Sequence, residues 1–178
     1  MTSAEALKLK EIAQQSATMK TLSCKFRQVQ ESPMLKTPEI STGNLQFLSS
    51  GTLVWKYETP KLFQLSLLED RIVMTSDKGV KSLPLADNPM MEQIRNFFIG
   101  LVNGDRLKPD GDGFECSLRE KDNQCIVTMT PKSRQLRKAF ASMEFTFTGT
   151  DCRIGSVVLY GAKGGKTTVT FTDHKITR

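Results

Sequence analysis

The stretch GTLVWKY at 51–57 alternates, with Leu53, Trp55 and Tyr57 on one side and Thr52, Val54 and Lys56 on the other. Because successive strand side chains point to opposite faces, this pattern predicts a strand with one apolar and one polar face. Phe63, Leu65 and Leu67 repeat the alternation, as do Leu45 with Phe47 and Phe145 with Phe147. Segments of this kind recur along the chain and constrain the fold more than any other feature. Strands are predicted over 22–29, 43–48, 51–57, 62–68 and 71–75, then over 113–119, 125–130, 142–148, 153–160 and 166–172, separated by short Gly-, Pro-, Ser- or Asp-containing turns. Strands so closely spaced argue for one antiparallel sheet of about 10–11 strands, and a sheet of that size cannot stay flat. The class is mainly β (α+β), with a strongly curved sheet whose apolar face needs a cover.

Only two helices are available for that cover. At the N-terminus, Thr2 and Glu5 have capping-box spacing, and Leu7, Leu9, Ile12 and Ala13, with Met19 further on, supply a rough apolar stripe. A stronger helix is predicted at 89–103, PMMEQIRNFFIGLVN, with Asn88 as cap, Pro89 in its first position and Gly104 at its end. Met90, Met91, Ile94, Phe97, Phe98, Leu101 and Val102 recur at helical spacing and form one broad apolar face, suited to plugging the concave side of the sheet.

At 178 residues the chain suits a single domain spanning 1–178 with a substantial core. Its formal charge is +6, from 25 basic and 19 acidic residues, which permits attraction to anionic membranes, nucleic acid or acidic proteins. The basic residues are scattered apart from SRQLRK at 133–138, and no nucleic-acid motif accompanies them, so a solvated face is expected. The opening MTSAEALKLKEIAQQ has no apolar stretch of the export-signal kind. That leaves open a cytosolic protein or one whose export signal has been removed. Cys116 and Cys125 lie either side of the turn-like REKDNQ, where a central turn would let them face each other. A disulfide or a pair of small buried thiols fits this spacing equally. With one histidine, His174, and no C-x-x-C spacing, no metal or cofactor site is expected.

The stretch GAKGGKTT at 161–168 imitates a phosphate-binding loop, but Tyr160 occupies the position of the first required glycine. A β-branched strand, not a helix, follows it, so a hairpin turn is expected, made basic by Lys163 and Lys166. Asp110, Asp112 and Glu115 match a calcium loop only in part and read better as a hairpin turn. No nucleophile motif is present, and an enzyme is not expected.

Four stretches, in order, resemble the LolA family of lipoprotein carriers. They are LSCKFRQVQ, with Phe26 and Gln28 as an F-x-Q strand, and STGNLQFLSSGTLVWKYETP, with Leu53, Trp55, Tyr57 and Pro60 as L-x-W-x-Y-x-x-P. CIVTMTPKSRQLRKAFASMEFTF, with its T-P-K, and SVVLYGAKGGKTTVTFTDHKIT complete the set. The resemblance implies an incomplete barrel with helices over its concave apolar side. It implies a periplasmic, monomeric carrier, exported by a signal since removed, that takes acylated lipoproteins from an inner-membrane ABC complex to an outer-membrane acceptor. The acyl chains would be held by Leu45, Phe47, Leu53, Trp55, Tyr57, Phe63 and Leu65, under a lid of Met90, Met91, Ile94, Phe97, Phe98 and Leu101. LolB and RseB share the fold, so a lipid- or lipoprotein-sensing interaction protein is the alternative. Two departures stand out. Ser49 falls near the position where many carriers have the arginine tied to lid closure, and the usual acidic G-D-x-T turn is here basic.

Overall fold

The computed structural model describes residues 1–108, 110–111 and 113–178, and at Met90, Ile94, Asp110, Gln135 and Ala139 it describes the backbone alone. The chain opens with α1 (Ser3–Ala17) and six strands, β1 (Thr21–Glu31), β2 (Glu39–Leu48), β3 (Thr52–Thr59), β4 (Phe63–Leu67), β5 (Arg71–Ser76) and β6 (Gly79–Pro84). Then come α2 (Pro89–Val102), β7 (Asp110–Gly111), β8 (Phe114–Lys121), β9 (Gln124–Pro131), α3 (Arg134–Ala139), β10 (Phe140–Thr148), β11 (Arg153–Gly161) and β12 (Lys166–Thr177).

Among the described residues all twelve strands form one sheet in the order β6-β5-β4-β3-β2-β1-β12-β11-β10-β9-β8-β7. The chain meanders outwards from β1 to β6, crosses through α2, and meanders back from β7 to β12, which closes on β1 with Thr21 opposite Thr177. β6 and β7 are the two edges of the sheet, so the barrel is incomplete, as the resemblance to the LolA family implies. Curvature comes from irregular registers. Between Ser23 and Lys25 the pairing of β1 with β12 slips, and Asp173 takes φ +55° there. The β2–β3 and β10–β11 ladders slip as well, and such bulges bend and twist a sheet.

β6, the short β7 and α3 are additions to the predicted elements. β6 alternates weakly and is mostly exposed, so it carries no clear period-two signal. α3 is a single short turn of helix in which Ser133 Oγ accepts the Leu136 N–H; six residues are too few for a helical stripe.

Two hydrophobic clusters line the concave side. One joins Leu9 and Ile12 of α1 to Leu118, Val127, Met129, Phe145 and Phe147 of the β8–β10 half. The other gathers Leu22, Phe26, Leu45, Phe47, Leu53, Leu67 and Phe171 around β1–β4 and β12. Ile154 and Val157 of β11 touch both and mark the seam. The capping box of α1 forms as predicted, through the Glu5 N–H to Thr2 Oγ1 at 3.1 Å and the Thr2 N–H to Glu5 Oε2 at 2.9 Å. The stripe is narrower than predicted: Leu9, Ile12 and Ser16 are buried, whereas Leu7 is 69% exposed.

Candidate functional site

The predicted apolar residues of β2, β3 and β4 do converge on one face, and they divide by depth. Leu45, Phe47 and Leu53 are fully buried, while Trp55, Tyr57, Phe63 and Leu65 are half-buried. Registers explain the gradient. Leu53 stands opposite Phe47 and Leu67 beside the β2–β3 turn, whereas Tyr57 stands opposite Gly43 and Phe63 towards the other end of the barrel.

At that other end the residues form an aromatic cluster. Phe26 stacks on Trp55 with ring centroids 4.4 Å apart and meets Tyr57 edge-on at 5.2 Å. Phe171 of β12 approaches Trp55 edge-on at 6.0 Å. The Tyr57 hydroxyl donates to Gln28 Oε1 at 2.8 Å, so the F-x-Q and L-x-W-x-Y stretches interlock physically. Gly43 makes this possible. A Cβ there would lie 1.8 Å from the Lys56 carbonyl oxygen and 2.8 Å from the Phe26 ring, so only glycine lets Phe26 lie across β2. The Trp55 Nε1–H is buried with no hydrogen-bond partner among the described residues. Phe26 and Phe171 belong to the cluster although sequence reasoning did not place them in it; their in-facing alternation within β1 and β12 was the available signal.

α2 crosses the seam. Met91, Ile99 and Val102 pack on the β1–β4 cluster, and Phe97 and Leu101 on the other, with Phe97 stacked 5.2 Å from Phe114. Two expectations for this helix need correction. Phe98 is 43% exposed, and Ile99 takes the inward position, because the helix presents to the sheet a narrower arc than a broad apolar face spans. Asn88 precedes the helix without a side-chain capping bond. The side chains of Met90 and Ile94 lie outside the described residues.

Arg95 is the site residue that sequence reasoning missed. From the middle of α2 its guanidinium reaches two turns of the sheet, donating through Nη2 to the Gly51 carbonyl at 2.5 Å and through Nε to the Leu68 carbonyl. Gly51 has φ +103°, and a Cβ there would sit 2.7 Å from Nη2, so glycine leaves room for the arginine. Ser49, where the family's arginine was expected, is an exposed turn residue whose N–H bonds the Lys20 carbonyl. An arginine in an amphipathic helix reads as solvated, which is why the sequence did not reveal this latch. At its C-terminal end α2 abuts α1, where Gly104, at φ +87°, lies against the Ala13 backbone.

The cysteine pairing is not formed: Cys24, Cys116, Cys125 and Cys152 are all free and buried. The β8–β9 turn centres on Asp122 and Asn123, both at positive φ, so Cys125 stands opposite Glu120 and Cys116 opposite Met129. Four residues of offset is about 13 Å along a strand, beyond disulfide reach. Burial pushes the Cys24 thiol up to about 12 and raises the other three, so all four are poor nucleophiles.

Asp112 and the Asp110 side chain lie outside the described residues, and among the described residues no group of acidic, cysteine or histidine side chains could hold a metal. His174, half-buried on β12, has Nε2 2.6 Å from the Ile154 carbonyl oxygen. GAKGGKTT is a hairpin turn: the Gly161 N–H bonds the Gly165 carbonyl at 2.7 Å, and Tyr160 pairs with Lys166.

An open antiparallel barrel with an apolar concave face, crossed by a helix that one arginine ties to the sheet, defines the class as an incomplete β-barrel with a helical cover. The model of the family described as outer membrane lipoprotein carrier protein LolA matches residues 17–178, and the chain belongs to that family. Comparison with curated proteins gives no sequence match. Among solved structures, the chain is similar to an uncharacterized conserved protein from Thermus thermophilus at TM-score 0.57 and 9% identity, covering 97% of this chain and 88% of that one. It is also similar to a chain of the Pseudomonas aeruginosa MucA/MucB complex at TM-score 0.51 and 12% identity, covering 97% of this chain but 57% of that one. At such identities these likenesses concern the fold alone.

Proposed function

We propose that the chain carries lipoproteins through the periplasm, from an inner-membrane ABC complex to an outer-membrane acceptor, by sheltering their acyl chains on the concave face of the sheet. The observation that carries this reading is the graded apolar face of β2–β4 under a helix held to it by one arginine. Each methylene taken out of water is worth about 0.8 kcal/mol, so acyl chains do not cross an aqueous compartment unshielded. Release has to remain feasible too. Met91, Ile99 and Val102 fill the face when α2 is docked, which returns apolar contact as cargo leaves. Opening and closing are then a shift between latched and loaded populations. The Trp55 N–H, buried without a partner among the described residues, would serve as a donor for an ester carbonyl of the cargo.

Binding of a fluorescent acyl probe, displaced by a lipopeptide and accompanied by a change in Trp55 emission, is the expected result. Absence of binding in both formats removes the carrier reading. Deletion of the gene separates carrier from sensor, since loss of a carrier strands lipoproteins at the inner membrane and loss of a sensor alters only a stress response.

A further inference from the structure

Away from the concave face, the β1–β2 loop, the β11–β12 turn and α3 enclose an open concavity of about 370 Å³. Lys138, Lys163 and Lys166 line it, with Glu31 as the one carboxylate among its lining residues. Neither Lys138 nor Lys163 makes an ion pair among the described residues, and Lys166 lies over the Tyr160 ring with its ammonium 5.9 Å from the centroid. At the rim Met34 is 93% exposed, beside Pro33, which lies 3.5 Å from where a Cβ would stand on Gly164. The β1–β2 loop thus exposes an apolar side chain to water beside a concavity lined by three lysines.

We propose that this end of the barrel docks on an anionic phospholipid surface, with headgroup phosphates among the three lysines and Met34 entering the acyl boundary. Charge complementarity argues for an anionic occupant. Lysine ammoniums are point charges without a fixed fork, which suits mobile headgroups better than an oriented carboxylate pair. The projecting methionine argues for a bilayer over an acidic protein, because cations flanking an inserted apolar group are the arrangement of interfacial anchors.

Position adds to the case. Glu31 stands opposite Lys166 in the β1–β12 ladder, so the concavity lies at the strand ends opposite the β2–β3 turn that Arg95 grips. The half-buried Tyr57 and Phe63 face that same end. The inference rests on the concavity itself and does not need the carrier reading.

The test is flotation of the cargo-free protein with vesicles of phosphatidylcholine alone or mixed with phosphatidylglycerol. Association is expected only with phosphatidylglycerol, and it should collapse as salt shortens the Debye length. Replacing all three lysines by serine should weaken partitioning on the order of 100-fold, and Met34→Ser about tenfold. Both variants should keep the parent's thermal midpoint and acyl-probe affinity, which separates failure here from failure of the carrier reading. Equal binding to phosphatidylcholine, or triple-variant partitioning like the parent's, overturns the proposal. So does retention on an acidic peptide or on inorganic phosphate without any vesicle association.

Discussion

Arg95→Ala removes the latch without touching the apolar face. The two hydrogen bonds that tie α2 to the sheet, to the Gly51 and Leu68 carbonyls, are lost, together with an exposed one to the neighbouring Asn96 Oδ1 that holds nothing across to the sheet. A charged donor to a carbonyl is worth up to about 3 kcal/mol, but both acceptors lie in surface turns and water replaces the guanidinium on opening. About 1 kcal/mol for each bond is therefore the better figure, or about 2 kcal/mol in total. At about 1.4 kcal/mol per decade, the undocked population of α2 rises roughly 30-fold. The two consequences have opposite signs. Thermal stability should fall by about 4–8 °C for a chain of this size. Apparent affinity for an acyl probe should rise by up to about 30-fold, because it scales with the fraction of binding-competent molecules. Amides of α2 should also exchange faster while those of β1 and β2 do not. Arg95→Lys, which keeps the charge but at most one bond, should fall between. A fall in stability with unchanged or weaker probe binding would refute the latch and leave Arg95 as an ordinary structural contact.

Gly43→Ala should cost at least about 3 kcal/mol, because its Cβ would meet the Lys56 carbonyl oxygen at 1.8 Å; a thermal midpoint within a degree or two of the parent's would show that the β2–β3 ladder shifts without penalty. Phe26→Ala should destabilise by about 3–5 kcal/mol and red-shift the emission of Trp55, the chain's one tryptophan, by opening its stacked face to water. A thiol reagent at pH 8 should find no fast-reacting cysteine in the folded protein and four on denaturation, since burial holds every thiol above its ordinary value; a count of two on denaturation would instead reveal a disulfide. The Arg153 guanidinium, 2.7 Å from Asp151, holds that carboxyl below the usual carboxylate range. A depressed folded value stabilises above the unfolded value, near ~3.9, and the contribution disappears as pH falls through the folded one. Asp151→Asn should therefore cost up to about 1 kcal/mol at neutral pH, with the gap to the parent closing below about pH 4 in denaturant titrations.

The period-two stretches revealed most of the fold because one buried face forces strict alternation, and Leu45, Phe47, Leu53 and Trp55 all point as that rule requires. The missed pieces have little such constraint. β6 is an exposed edge, and α3 is too short to show a stripe. The cysteine pairing failed because the pairing sum of a hairpin depends on its turn. The Asp122–Asn123 turn sets Lys121 against Gln124, which carries Cys116 four residues past Cys125. In the candidate site, apolar composition located the face but not its depth, since Phe47 and Phe63 carry the same signal and differ in burial. Arg95 was illegible for a different reason: its partners are carbonyls 44 and 27 residues away, and backbone acceptors leave no mark in a sequence.

The topology leaves α2 outside the hydrogen-bonded ladders of the sheet. β1 closes on β12, so the two meanders meet through a continuous ladder, and the open gap falls between β6 and β7. α2 is the connection across that gap and belongs to neither half of the sheet. Displacing it breaks no strand pairing; among the described residues, what is lost is side-chain packing on two clusters and the Arg95 bonds. Just beyond its C-terminal end, Gly104 lies against the Ala13 backbone of α1, so the opening proposed above would pivot there. Met91 covers the β1–β4 cluster from the N-terminal turn of α2, and Ile99 and Val102 cover it from the C-terminal half. The face in turn grows shallower towards Tyr57 and Phe63, at the end bearing Met34 and the three lysines. If the carrier and docking proposals both hold, a cargo chain leaving along that gradient would emerge at the end lined by Lys138, Lys163 and Lys166.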